Sequence, residues 1–187
     1  DLITARFDRA RAKQEKIGNV NVYRVGLGSR VDKFLLPIFG TICALALHRR
    51  QQYQIAFSLM ASQASIAAVF FKRLAPNCKL ILNLQEGDEE EHLKRYAGGS
   101  DFLYKTLIRP WHLLIFKKAD AVVAISNYLK ARAIKSGARC PIAVIPNAVD
   151  IARFARIYQV DELAELRTKL PKRPNDIFLI TVSRLVK

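Results

Sequence analysis

Short apolar runs alternate with longer helical patterns along most of the chain. Val20 to Val25 alternates apolar and polar positions and predicts a strand. Ile55 to Leu59, Lys79 to Leu84, Ala121 to Ile125, Ile142 to Ile145 and Ile177 to Val182 are short runs rich in Leu, Ile, Val and Ala. They read as buried strands of a parallel sheet. Leu2 to Thr4 reads as the end of a further strand, and Arg6 to Gly18 as a polar loop. Helical spacing recurs over Asp32 to Arg50, entered through Pro37, and over Ala61 to Leu74, stopped by Pro76. It recurs again over Asn127 to Lys135, ended by Gly137, and over Asp161 to Leu170. Residues 92–118 suit a long helical excursion broken by Gly98, Gly99 and Pro110. Strands and helices in this alternation predict an α/β fold, a doubly wound, Rossmann-like parallel sheet covered on both faces.

Ligands of that class bind beyond the carboxyl ends of the strands. Three loops occupy such places: Gln85 to Glu91, Ser126 with Asn127, and Asn147 to Asp150. They supply Gln85, Glu86, Asp88, Ser126 and Asn147 as candidates for a site. Each has a plainer reading beside the functional one. Glu86 and Asp88 suit the start of a helix, whose dipole favours acids; Ser126 suits an N-cap and Asn147 an Asx-type turn. Asp120 reads as the polar lead-in to a strand and Asp150 as a cap or hinge.

The 187 residues are 51% hydrophobic and 25% charged, with 8 Gly and 7 Pro, so a sizeable core is available and disorder and low complexity are excluded. Cys43, Cys78 and Cys140 are far apart, which suggests neither a zinc knuckle nor a disulfide framework; buried thiols in a reducing compartment are expected. The longest apolar run, Phe34 to Leu47, includes Pro37 and Gly40 and is shorter than the roughly 20 residues a membrane span needs. No basic-then-apolar leader opens the chain. His48, His92 and His112 have no ligand spacing, there is no Gly-x-Ser-x-Gly elbow, and Gly26 with Gly28 gives only Gly-x-Gly. No metal and no dinucleotide cofactor are expected.

Charge changes the picture more. The net charge is +15, yet residues 86–91 carry −5 while residues 34–85 and 92–118 carry +5 each. A basic surface of this size implies an anionic partner: nucleic acid, an anionic membrane face or phosphate-bearing small molecules. Residues 94–118 interleave Tyr96, Phe102, Tyr104, Trp111 and Phe116 with Lys94, Arg95, Lys105, Arg109, Lys117 and Lys118. That composition fits a helix lying on an anionic membrane, or a helix with its apolar side inward and its basic side in water.

Three phrases then occur in order: Ala119-Asp120-Ala121-Val122-Val123-Ala124-Ile125-Ser126, Val144-Ile145-Pro146-Asn147-Ala148-Val149-Asp150 with Phe154 following, and Ile180-Thr181-Val182-Ser183-Arg184-Leu185. Together they resemble the family 4 glycosyltransferases of the GT-B fold. The middle phrase is similar to that family's Pro-Asn-Gly-Val-Asp signature, with Ala148 in place of Gly. The last is similar to its Gly-Arg-Leu signature, with Ser183 in place of Gly.

The resemblance implies an acceptor-side Rossmann-like domain over residues 1–150, whose first strand would lie upstream of Asp1. It implies a linker and helix over 151–175 and the first strand of a donor-binding domain over 176–187. It implies transfer of a sugar from a nucleotide-sugar donor to a hydroxyl acceptor with retention, in cell-envelope, polysaccharide or glycolipid synthesis, by a cytoplasmic enzyme peripheral at the inner face of the plasma membrane. Arg184 would hold the donor diphosphate, because a guanidinium grips phosphate oxygens in a fork and stabilises charge on the departing group. The family's paired glutamates would follow Lys187, so no catalytic carboxylate is assigned and residues 1–187 alone are expected to be inactive. Gln85 and Glu86 stand where related enzymes place a His or Asp near the acceptor, which is expected to be lipid-linked. Two rivals stay open: a GT-B nucleotide-sugar epimerase, and a basic membrane- or nucleic-acid-binding module, although no specific nucleic acid is expected.

Overall fold

The structure is a computed structural model and describes residues 1–85, 100–170 and 175–177. It divides into two compact units, Asp1–Asn147 and Ala148–Lys187.

Within the first unit the amino-terminal strands β1 (Leu2–Ala5), β2 (Gln14–Ile17) and β3 (Val20–Val25) form a sheet in the order β1-β3-β2. β1 and β3 are parallel, whereas β2 and β3 form an antiparallel hairpin closed by Gly18 and Asn19, with Ile17 opposite Val20. Gly18 takes the positive φ of 56° that this two-residue turn needs. The sequence expectation of a loop over Arg6 to Gly18 is corrected here. β2 is a charged edge strand with little apolar content, and the two-residue turn was its one clear signal. Arg24 and Glu15 pair across the hairpin.

The chain then runs through α1 (Asp32–Gln51), β4 (Ile55–Leu59), α2 (Gln63–Leu74) and β5 (Lys79–Leu84). From residue 100 it forms a short α3 (Asp101–Leu103), a π-helical turn Tyr104–Ile108 and α4 (Arg109–Lys118), followed by β6 (Ala121–Ala124), α5 (Asn127–Lys135) and β7 (Ile142–Val144). β4-β5-β6-β7 is a parallel sheet in chain order. Right-handed crossovers that always advance in one direction set their helices on one face. That face carries the core: Leu80, Leu82, Leu84, Val122 and Ala124 pack with Val69 of α2, Ile115 and Phe116 of α4, and Leu129 and Ala133 of α5. On the other face Ile55, Phe57 and Leu59 are more than half exposed.

Two expectations shift in detail. Pro37 lies well inside α1, not at its entry. Pro110 does not break its helical run, because it falls in the first turn of α4 directly after the π turn, where a missing N–H is tolerated. α1 and α2 meet closely at Gly40, where an added Cβ would stand 3.2 Å from the Ala67 methyl.

In the second unit Asp150 caps α6 (Ile151–Phe154) by accepting the Arg153 N–H at 3.2 Å. α7 spans Val160–Lys169, and Glu162 in its first turn accepts the Gln159 N–H and pairs with Arg156. Of the strand expected over 177–182 only Ile177 is among the described residues, and it is exposed.

Candidate functional site

The parallel register brings the ends of four strands to one edge. Leu59 stands beside Asn83, and Leu84, Ala124 and Val144 end their strands side by side. The residues that follow, Met60, Gln85, Ile125 with Ser126, and Ile145, therefore share the carboxyl edge of the sheet. Gln85 is half-buried and donates from Nε2 to Asn83 Oδ1 at 2.5 Å. Ser126 caps α5, its Oγ accepting the Leu129 N–H at 3.3 Å. Asn147 is exposed and is the last residue of the first unit. Glu86, Asp88 and Arg184 lie outside the described residues, as do Lys94 and Arg95.

The edge holds a further loop that sequence reasoning missed, Met60-Ala61-Ser62 between β4 and α2. Met60 has φ 64°, a left-handed conformation unusual for a residue with a side chain. Three bonds hold it there: its N–H donates to Asn83 O at 2.7 Å, its carbonyl accepts the Ser62 N–H at 2.9 Å, and the same carbonyl accepts the Ser65 hydroxyl. Ser62 is the N-cap residue of α2, but its side chain makes no cap bond. A small recess here is walled by Met60, Ser62, Leu84, His112, Phe116 and Arg132, with room for about one water, ≈ 20 Å³. The signal for this loop was its place after a strand in an α/β pattern. Nothing in the sequence marked His112 or Arg132 as its neighbours. A hydroxyl, an imidazole, a guanidinium and the first turn of α2 together favour hydroxylated or anionic groups at this edge.

Among the aromatic and basic residues of 100–118, Lys105, Arg109, Lys117 and Lys118 are exposed. Tyr104 and Phe116 are buried, and Trp111 sets its ring edge-on to Phe70 at 5.0 Å. No group of three or more His, Cys, Asp or Glu able to hold a metal occurs among the described residues. No helix among them is long and apolar enough to cross a membrane.

Two other carboxylates of the first unit have specific polar partners. Asp120 accepts the Leu80 N–H at 2.7 Å and pairs with Lys72 at 2.6 Å, so one carboxylate ties β6 to β5 and to α2. Desolvation pulls its pKa up, but the bonds from Lys72 and the Leu80 N–H outweigh it and hold the carboxyl below its usual value. Asp32 has no accessible surface and accepts the Gly28 and Ser29 N–H groups at 2.6 and 3.1 Å. Burial pulls its pKa up as well, and the backbone donors of Leu27, Ser29 and Gly28 bring it below the usual value.

No curated protein matches the chain in sequence. Among solved structures it is similar to two of sucrose-phosphate synthase from Thermosynechococcus elongatus. One matches at a TM-score of 0.56 and 13% identity over 89% of this chain and 83% of that one. The other matches at 0.62 and 14% over 90% of this chain, which spans 42% of that chain's length. At such identities the likeness carries the fold, an α/β Rossmann-like arrangement. The model of Glycosyltransferase Family 4 matches residues 1–153, and the chain belongs to that family.

Proposed function

We propose that the protein transfers a sugar, with retention at the anomeric carbon, from a nucleotide-sugar donor to a hydroxyl acceptor. The family match over residues 1–153 carries this reading. The rest of it rests on the sequence phrases around Asn147 and Arg184. Residues 1–150 form the acceptor side, 151–175 a linker, and 176–187 open the donor side. Gln85 and Glu86 orient the acceptor hydroxyl, with Asp88, Ser126 and Asn147 as further residues of the acceptor-side cleft. Arg184 holds the donor diphosphate and stabilises the charge that develops as the glycosidic bond to phosphate breaks. Positive charge from the protein takes the place of a metal. The acceptor is a lipid-linked intermediate of envelope polysaccharide or glycolipid, met at an anionic membrane by Lys94, Arg95, Lys105, Arg109, Trp111, Lys117 and Lys118.

The test is release of nucleoside diphosphate from a panel of UDP-, GDP- and ADP-sugars, with a lipid extract as acceptor source, by the full product of the coding region. Release with at least one donor, unchanged by EDTA and reduced about 10²–10³-fold by Arg184→Ala, is expected. Residues 1–187 alone are expected to release none. No release with any donor contradicts the transfer.

A further inference from the structure

α1 is apolar on the side turned away from the sheet as well as on the side turned toward it. Leu36, Gly40 and Leu47 are buried, yet Phe34, Ile38 and Ile42 are 50%, 59% and 59% exposed. Residues four apart lie one above another on a helix, so these three make a continuous stripe. Beside it runs an apolar groove of about 310 Å³, walled by Ile38, Ile42 and Leu45 of α1 and by Phe70, Arg73 and Leu74 of α2. Thr41, also in the groove, turns its hydroxyl to the carbonyls of Pro37 and Ala67. Phe70 continues the surface to Trp111 of α4. An apolar stripe of this kind on a helix that is hydrophobic all round marks a surface meant to be covered.

The charge around the stripe narrows what covers it. The helical stretches 32–51, 63–74 and 101–118 carry nine Lys and Arg, of which Lys72 is paired with Asp120, against Asp32 and Asp101. Asp32 is buried against the loop before α1, which leaves the helix layer more basic still. Arg73 is in the groove wall, and Lys33 stands over the Phe34 ring at 4.7 Å. A second copy docked face to face would set this basic layer against itself. Nucleic acid would meet the cations and leave the apolar groove empty.

We propose that the α1–α2 face is a membrane-docking surface for anionic lipid, with Phe34, Ile38, Ile42 and Leu74 entering the headgroup region and Arg73 meeting lipid phosphate. This rests on the membrane part of the function proposed above and moves its centre from residues 94–118 to α1 and α2. The burial of Tyr104 and Phe116, two aromatics of the later segment, favours that move, since both are turned into the protein.

The test is co-sedimentation of the 187-residue chain with phosphatidylcholine vesicles, with and without 30% phosphatidylglycerol, followed also by the fluorescence of Trp111, the one tryptophan. Binding to the anionic vesicles with a blue shift is expected, weakened at least tenfold by Ile38→Ser with Ile42→Ser and severalfold by Arg73→Glu. Leu74→Ser, at a 63% exposed position near the end of α2, gives a second reading that leaves the core untouched. Groove variants that bind like the parent, while Lys105→Glu with Arg109→Glu abolishes binding, overturn the docking face and keep the membrane reading. A parent that binds neither vesicle overturns both. Concentration-dependent dimerisation lost in Ile38→Ser with Ile42→Ser, at unchanged vesicle binding, overturns the proposal in favour of an interface between copies.

Discussion

Gly26 and Asp32 specify one another. A Cβ at Gly26 would stand 2.4 Å from the Asp32 carboxyl, and Gly26 holds φ 121°, where side chains are strained. The aspartate fills the space the glycine leaves and ties down the following turn through Gly28 and Ser29. Gly26→Ala is therefore expected to destabilise the chain by about 2–4 kcal/mol in urea unfolding. Gly18→Ala is the control. Gly18 also has positive φ, at 56°, but nothing lies within 4 Å of its added Cβ, so the cost is about 1 kcal/mol. Equal losses at the two positions would contradict the role given to Asp32.

Asp120 and Lys72 set a pH dependence. The Asp32 and Asp120 carboxyls are both held below their usual pKa in the folded chain, so the unfolded chain binds protons first as pH falls. The stability they contribute is complete above the unfolded carboxylate pKa of about 4 and is lost as pH drops through the folded values. Urea midpoints are expected to hold steady from pH 7 to about pH 5 and to fall below pH 4, less steeply in Asp120→Asn. At pH 7 Asp120→Ala, which leaves the Leu80 N–H without its acceptor, is expected to cost about 1–3 kcal/mol. A midpoint that rises on acidification contradicts the assignment.

Ser126 ends a motif phrase and acts locally as a cap. Ser126→Ala is expected to cost about 1 kcal/mol, and Ser126→Asp to restore most of it, since either oxygen accepts the Leu129 N–H. Destabilisation by Ser126→Asp equal to that of alanine would show that the serine serves something other than the cap.

The three thiols are free, with Cys78 fully buried and Cys43 and Cys140 half-buried, and burial pushes the pKa of each up. Native protein at pH 8 is expected to react slowly with iodoacetamide at Cys43 and Cys140 and not at Cys78, which becomes reactive in urea. Rapid labelling of Cys78 in the native state contradicts its place beneath Phe71 and Ala75.

Apolar patterning was enough wherever the element's own residues decide its state. Val20–Val25, Ile55–Leu59, Lys79–Leu84 and Asn127–Lys135 have the bounds read from the sequence. β2 was hidden because an edge strand needs few apolar residues and takes its order from β3. By composition Tyr104 and Phe116 belong to an aromatic and basic stretch, whereas the fold buries them, Tyr104 against Ile108 and Phe116 in the main core with Ile115. The edge residues Gln85 and Ser126 were legible because the carboxyl ends of parallel strands follow from the strand order. His112 and Arg132 were not, since they come to the Met60–Ser62 loop only through the packing of α4 and α5. The outward stripe of α1 was likewise hidden, because an apolar run does not say which of its sides faces the sheet.

The most direct test of the account is the anomeric configuration of the product, followed by NMR, when the full product of the coding region acts on its nucleotide sugar. Transfer to a hydroxyl acceptor with the donor's configuration retained is the expected result. Inversion, or conversion of the nucleotide sugar to an epimer without transfer, would contradict it.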